Sequence, residues 1–157
     1  MQSALEAILK AVALERQVNI REINGLLYKP EGVIRGFILF DDSAGGGGAV
    51  LPLVLTGNHE LDQNRHKDIH NIINRAIDIC VNCDECNKQV VFAELRDDQI
   101  PLKREDYLTT EISRDRCRVR QSCYHCLRSY RNQRLHALLD RKDAVIVLQA
   151  LLEHKLR

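Results

Sequence analysis

The chain has 157 residues, of which 45% are hydrophobic and 29% charged, enough for one domain with a hydrophobic core. Its 23 Lys and Arg residues nearly balance 22 Asp and Glu residues, so the net charge of +1 indicates no polyanionic partner by itself. The longest apolar stretch, residues 49–55, is much shorter than a membrane span, and the sequence therefore predicts a soluble protein without membrane contact.

The first third of the chain predicts one helix, an extended segment and a strand. Apolar residues at helical spacing predict an amphipathic helix over residues 4–14. The segment that follows predicts extended chain with a turn at Asn24-Gly25. Residues 33–40 are rich in β-formers and predict a strand buried on both faces. Residues 41–48 end in four glycines and predict a turn, because glycine loses too much backbone freedom in regular structure.

The rest of the chain predicts two more helices. Residues 49–55 fit either a helix or a strand. An apolar stripe over residues 66–80 predicts a helix that ends at Cys80. Residues 81–116 have the character of an insertion within a single domain that spans 1–157. Asp140 is placed to cap a last, apolar-faced helix.

Six cysteines are the strongest chemical signal in the sequence. The N-terminus has no basic start typical of a secretory leader, so we expect a cytoplasmic, reducing compartment in which metal binding is favoured over disulfides. Two residues between thiolates let the backbone curl around one tetrahedral zinc. The cysteines form two clusters, one of Cys80, Cys83 and Cys86 and the other of Cys117, Cys123 and Cys126.

Four ligands close a structural zinc site, and the spacing leaves two pairings open. One joins Cys83 and Cys86 to the Cys123-x-x-Cys126 pair, as in a zinc ribbon. The other uses Cys80 and Cys117 with that same pair. In both cases we expect an α+β fold, with a small sheet packed by helices and a four-cysteine site that joins the central helix to the C-terminal segment.

Basic residues are concentrated around the second cysteine cluster. Residues 114–142 hold nine basic and two acidic residues, a net charge of +7, and the remaining 128 residues carry −6. Arginines interleaved with Tyr124 and Tyr130 are typical of a surface that binds phosphates and stacks on bases. The alternative is that these arginines offset thiolate charge and pair with the acidic remainder. The candidate nucleic-acid-binding residues are Arg118, Arg120, Arg128, Arg131 and Arg134.

Two catalytic interpretations find less support. The glycine run lacks the Lys and the Ser or Thr that a phosphate-binding loop requires, because Ala49 and Val50 follow Gly48. Asp41 and Asp42 at a strand end are a pair of carboxylates that can hold magnesium, which is the basis of an alternative as a stand-alone nuclease or hydrolase. Neighbouring histidines are better interpreted as surface residues than as a second metal site.

Several segments together resemble the MrfA-type zinc-binding domain over most of the chain. They are Phe40-Asp41, the four glycines, a long helix that ends in Cys80, Cys117, residues 122–127 (Ser-Cys-Tyr-His-Cys-Leu), Tyr130, Asn132-Gln133, His136 and Leu139-Asp140-Arg141. Such domains are found near the C-terminus of DEAD/DEAH-box helicases and in helicase-associated subunits of bacterial DNA repair and phage defence.

The resemblance implies a zinc ligand set and a partner. Matched position by position, it favours Cys80, Cys117, Cys123 and Cys126, with Cys83 or Cys86 able to replace Cys80 because of the insertion. It also implies a helicase motor as partner, with DNA as a further one. Because no motor motif is present, we expect a non-catalytic accessory subunit or a fragment of a larger helicase. A protein-interaction scaffold without DNA contact is a further alternative.

Overall fold

The computed structural model describes residues 1–50, 53, 59–86 and 122–153. Within these residues, the longer elements are three helices and two strands, joined in places by short 3-10 helices. The helices are α1 (Gln2–Arg16), α2 (His59–Val81) and α3 (Arg141–Glu153), and the strands are β1 (Ile23–Tyr28) and β2 (Gly36–Asp41).

The three helices pack against one another and form most of the core. Alanines at positions 4, 7 and 11 lie fully buried on α1, where their small side chains let neighbouring elements approach closely. The predicted helix over residues 4–14 is confirmed. The helix predicted over residues 66–80 is also confirmed, and it begins earlier, at His59. Its buried stripe consists of Ile72, Ile73, Ala76, Ile77 and Cys80.

Strands β1 and β2 form an antiparallel hairpin in which Leu26 is paired with Ile38. The hairpin contacts α1 through β1. Leu26 and Ile38 are 46% and 43% exposed, so the prediction of a strand buried on both faces is wrong. An apolar run is typical of a strand covered on two sides, whereas in this two-stranded sheet the helices cover only one face.

The predicted turn at Asn24-Gly25 is also wrong, because both residues lie inside β1, opposite Phe40 and Leu39. The glycine serves a different purpose there. A Cβ at Gly25 would lie 2.8 Å from Leu5 Cδ1 and 3.0 Å from Leu39 Cδ2. Glycine therefore allows the strand to approach the side chains packed over it, and it is not needed for a reversal of the chain.

The glycine-rich turn after β2 is confirmed. Gly45, Gly46 and Gly48 all have positive φ angles, which glycine adopts without a steric cost. The turn is closed by the Asp41 carboxylate, which accepts a hydrogen bond of 3.0 Å from the backbone N–H of Ala49. The carboxylate at the strand end therefore satisfies a backbone donor of the returning chain.

The N-terminus of α3 is capped as predicted. The Asp140 carboxylate accepts a hydrogen bond of 2.7 Å from the backbone N–H of Lys142, which satisfies one of the free donors of the first turn. The buried Ser3 hydroxyl of α1 in turn accepts the N–H of Asp140 at 3.1 Å. The start of α3 is thus fixed to the start of α1.

The small antiparallel sheet packed with helices confirms the predicted α+β fold class. Most of the proposed insertion at 81–116 lies outside the described residues. Within the described part of the chain, none of the helices combines the length and the apolar character needed to cross a bilayer.

Candidate metal centre

Four buried thiols meet beyond the C-terminal end of α2. The sulfur atoms of Cys83, Cys86, Cys123 and Cys126 all lie within 4.8 Å of one another. The closest approaches are 3.5 Å between Cys83 and Cys123, and 3.7 Å for Cys86 with Cys126 and for Cys126 with Cys123. Two cysteine pairs that are 40 residues apart in the sequence therefore share one site.

The first pair of thiols follows directly from α2. The helix ends at Val81, and a single helical turn over residues 84–86 brings Cys83 and Cys86 to the same side. Both side chains are buried in the core.

The second pair lies on a tight backbone turn. The carbonyl oxygen of Cys123 accepts hydrogen bonds from three successive N–H groups, those of Cys126 at 3.2 Å, Leu127 at 3.1 Å and Arg128 at 2.8 Å. This arrangement curls the chain so that the Cys123 and Cys126 sulfurs point to the same centre. The Cys123–Cys126 turn is stabilised further by the Arg128 side chain, whose Nε donates to the buried Ser122 hydroxyl at 3.0 Å.

The spacing of the sulfurs fits a tetrahedral metal ion. Sulfurs placed about 2.3 Å from a central zinc lie about 3.8 Å from one another. The three short sulfur–sulfur distances, 3.5 to 3.7 Å, are close to that value. A site made only of thiolates suits soft or borderline metals such as zinc, and not magnesium or calcium, which prefer oxygen ligands.

Without a metal, hydrogen bonds among the thiols shift the pKa values of three of them. Hydrogen bonds from Cys126 and Cys86 lower the pKa of the Cys83 thiol. The hydrogen bond between Cys83 and Cys126 raises the pKa of Cys126 to about 11, and the hydrogen bond with Cys126 raises the pKa of Cys86. A divalent cation at the centre would take the place of these protons and hold all four sulfurs as thiolates.

Of the two ligand sets suggested by the sequence, the structure brings the sulfurs of only one together among the described residues. The four sulfurs that meet are those of the zinc-ribbon pairing. Cys80 lies on α2, fully buried, and burial raises the pKa of its thiol to about 12. Its sulfur is not one of the four that lie within 4.8 Å of one another. Cys117 lies outside the described residues.

Lys10 of α1 places a cation beside the thiols, which the sequence pattern did not reveal. Its ammonium donates a hydrogen bond to the carbonyl oxygen of Tyr124, between the two cysteines of the second pair. Burial lowers the pKa of Lys10, while the charges of Cys126, Cys123 and Cys83 oppose that shift. Four thiolates around a divalent ion carry a net charge of −2, and the Lys10 ammonium offsets part of it.

Arg141 connects α3 to the metal centre from the other side. Its guanidinium is almost completely buried and donates a hydrogen bond of 2.9 Å to the backbone carbonyl of Cys80. That carbonyl belongs to the last turn of α2, where the helix leaves its own acceptors without partners and where a cation is favoured. The C-terminal end of α2 is therefore held in place just before the first pair of thiols.

Asn132 organises the chain after the second cysteine pair. Its buried amide nitrogen donates to the Leu127 carbonyl at 2.9 Å and to the Glu6 carboxylate of α1 at 2.8 Å. Its amide oxygen accepts the N–H of Ser129 at 2.7 Å and lies 3.0 Å from His136 Nε2. The sequence offered one clue to this contact, because Gln2, Glu6 and Lys10 recur at a spacing of four on α1.

The arginines predicted to bind nucleic acid have separate roles in the structure. Arg118 and Arg120 lie outside the described residues. Arg131 donates to the backbone carbonyls of Ile20 and Ile23 at 2.9 and 2.8 Å, and Arg128 supports the Cys123–Cys126 turn as described above. Arg134 is exposed on the 3-10 helix Gln133–Leu138.

The carboxylates of the alternative hydrolase site are engaged in the fold. Asp41 closes the glycine turn, and the Asp42 carboxylate accepts a hydrogen bond of 3.1 Å from the Asn24 amide and lies 3.8 Å from Arg131. Among the residues that the structure describes, the four cysteines are the one group of His, Cys, Asp or Glu side chains arranged to hold a metal ion.

These features define a buried four-cysteine centre that can hold a metal ion, in an arrangement consistent with structural zinc. Comparisons with protein-family models, with curated proteins and with solved structures find no match to the chain.

Proposed function

We propose that the chain is a zinc-stabilised, non-catalytic accessory module of a DEAD/DEAH-type superfamily-two helicase system, which acts on DNA in bacterial repair or phage defence. The observation that carries the proposal is the meeting of the four sulfurs of Cys83, Cys86, Cys123 and Cys126 in the core.

The donor set favours a structural metal over a catalytic one. A catalytic zinc keeps one coordination position open for water or substrate, whereas four protein thiolates close the coordination sphere. All four cysteines are buried, so a substrate would have no access to the metal. The metal would serve the fold by cross-linking the end of α2 to the segment that leads into α3.

The helicase part of the proposal draws its support from the resemblance to the MrfA-type zinc-binding domain. Some of the residues that carry this resemblance lie at or next to the metal centre. Cys123 and Cys126 supply two of the four sulfurs, Asn132 orders the chain that follows them, and Arg141 holds the end of α2. These four residues are of the kind that a zinc module would need for its own folding.

Zinc analysis of single-cysteine variants tests the metal site and its ligands together. We expect one zinc per chain in the purified protein. Cys123→Ser and Cys126→Ser should lose it under either pairing. Cys83→Ser and Cys86→Ser should also lose it, whereas Cys80→Ala should retain it. Full retention in Cys83→Ser together with loss in Cys80→Ala would reject the ligand set seen in the geometry.

The helicase association needs a separate measurement. We expect the zinc-loaded chain to bind a DEAD/DEAH-box motor of its own source organism and to change the rate of DNA-dependent ATP hydrolysis by that motor. The matched control is the Cys126→Ser chain, which should have no effect because its metal centre is broken. If the zinc-loaded chain neither binds these motors nor alters their ATPase rates, the helicase proposal is refuted.

A further inference from the structure

Two tyrosine rings stand exposed on the surface beside the metal centre. Tyr124 lies between Cys123 and Cys126 and is 51% exposed, and Tyr130 is 78% exposed. Their ring centroids are 5.9 Å apart, with an angle of 46° between the ring planes. Large aromatic side chains are usually more buried than this, and exposed aromatic residues of this kind mark binding surfaces.

The position of the Tyr124 ring is fixed by its neighbours. The ring contacts His136 edge to face, with centroids 5.3 Å apart. His136 is itself held by the carbonyl of Ser129 and the amide oxygen of Asn132, each 3.0 Å from Nε2. Since both of these groups are acceptors, Nε2 carries the proton. A ring fixed in this way loses little conformational entropy when a ligand stacks on it.

The chain around these rings is cationic. Residues 122–139 contain three arginines and two histidines and no acidic residue. Lys10 lies against the backbone of Tyr124 from the opposite element. Arg134 is exposed two residues before His136, on the same 3-10 helix. With a divalent ion bound, the four thiolates nearby would carry a negative charge, but they are buried and Lys10 would offset part of that charge.

We propose that Tyr124 and Tyr130 form a stacking platform for unpaired bases of single-stranded nucleic acid, with Arg134 as a phosphate contact. This inference rests on the proposed function and specifies which form of nucleic acid the module binds. Aromatic rings stack on bases only where those bases are unpaired, and the strand displaced by a helicase offers such bases.

The structure reduces the number of predicted arginines that are suited to a test of nucleic-acid binding. Arg131 is directed into the backbone at the start of β1, and Arg128 supports the Cys123–Cys126 turn. Both are needed for the local fold, so substituting them would confuse loss of binding with loss of structure. Arg134 and the two tyrosines are exposed, and they are the better residues for a test of binding.

The test is fluorescence anisotropy of a labelled 20-nucleotide oligothymidine with the zinc-loaded full-length chain at low salt. An oligonucleotide of the same length that is abasic throughout, and a duplex, serve as comparison ligands. We expect the oligothymidine to bind at least fivefold more tightly than the abasic strand, because base stacking contributes about 1–3 kcal/mol per base.

Paired variants separate the contribution of base stacking to affinity from the contribution of charge and from effects on folding. Tyr124→Leu/Tyr130→Leu should weaken oligothymidine binding roughly 5- to 100-fold, whereas Tyr124→Phe/Tyr130→Phe should bind like the wild type. Tyr28, which is 48% exposed on the hairpin, provides the control, and Tyr28→Leu should have no effect. Arg134→Gln should reduce the dependence of affinity on salt concentration, because the variant would neutralise one phosphate fewer.

Several outcomes would overturn the inference. They are no binding of oligothymidine by the zinc-loaded wild type, equal affinity for the abasic strand, and an unchanged affinity in the double leucine variant. Zinc content, measured for every variant, confirms that the fold is intact. A chain that holds zinc and alters the ATPase rate of the motor but does not bind oligothymidine would refute this inference alone. A chain without zinc would refute the proposed function.

Discussion

The packed face of α2 and the chain beyond its C-terminal end lie in regions that are held together in different ways. Where α2 packs on α1 and α3, the buried contacts are apolar, made by isoleucine, leucine and alanine side chains that are almost completely buried. Beyond Val81 the chain instead converges on four thiols, a buried guanidinium and a buried amide. We call the packed parts of α1, α2 and α3 the helical core. We call residues 82–86 together with residues 122–138 the thiol region.

The comparison of the two regions indicates how residues 122–138, which bury little apolar surface, can be stabilised. Residues 122–138 contribute few large side chains to the interior, so hydrophobic burial alone offsets only a small part of the entropy lost on folding. A metal bound by four thiolates would supply the missing stabilisation in one place. We expect the helical core, with its larger apolar contact, to need no such ion.

Removal of the metal should have the largest effect and should separate the two regions. Structural zinc sites contribute on the order of 10 kcal/mol to folding, so chelation should unfold the thiol region. In hydrogen exchange, amides of residues 122–138 should lose protection, whereas those in the middle of α1 should keep most of theirs. Equal loss in both regions would show that the metal supports the whole domain and that the two regions are not separate.

A substitution in the helical core should destabilise that region and leave the metal site of the folded protein intact. Leu5 is almost completely buried on α1, so Leu5→Ala should lower the free energy of unfolding by about 2–5 kcal/mol. The zinc content of the folded protein should not change. Leu14→Ala, in the same helix but 55% exposed, is the control and should change stability by less than about 0.5 kcal/mol. Urea unfolding with zinc analysis gives both quantities, and loss of zinc in folded Leu5→Ala would contradict the separation.

Arg141 links the two regions, so its substitution tests how strongly they are coupled. Arg141→Met keeps an unbranched apolar stem, shorter than that of arginine, and removes the donor to the Cys80 carbonyl. A buried acceptor left without a partner costs about 1–3 kcal/mol, and we expect this loss of stability in urea unfolding. Arg134→Met removes an exposed arginine and should have little effect. Similar results for both variants would show that the buried contact contributes nothing specific.

The smallest effect is expected at the cap of α3. Asp140→Ala removes the acceptor for the Lys142 N–H and should cost about 1 kcal/mol, whereas Asp140→Asn retains an acceptor oxygen and should be nearly neutral. Thermal unfolding of the zinc-loaded proteins measures the difference. The cap lies between the two regions, so a loss of zinc from Asp140→Ala would indicate that they are more tightly coupled than their separate contacts imply.

Local sequence patterns predicted the helices well and the sheet less well. The periodic stripes of α1 and α2 and the cap at Asp140 depend on nearby residues, and all three predictions are confirmed. The turn predicted at Asn24-Gly25 was wrong because Gly25 is required by close contact with Leu5, a residue 20 positions away in the sequence, and not by a chain reversal. The exposed face of β2 was missed because its apolar sequence does not reveal whether other elements cover one of its faces or both.

In the candidate metal centre, too, the local features were predicted from the sequence and the long-range contacts were not. The spacing within each cysteine cluster predicted a metal site and restricted its ligands to two pairings, because the reach of a Cys-x-x-Cys turn is a local property. Which pairs of thiols meet depends on where α2 ends and on how the later turn packs against α1. The contacts of Lys10 and Asn132 likewise join residues more than 100 positions apart.

The amino-acid sequence by itself determined the helices, the α3 cap and the presence of a four-cysteine site, since each depends on side chains within a few residues of one another. Only the tertiary structure decided which sulfurs come together, which arginines serve the fold and which aromatic rings remain exposed. These features depend on the packing of distant segments, and the order of residues along the chain does not specify their distances.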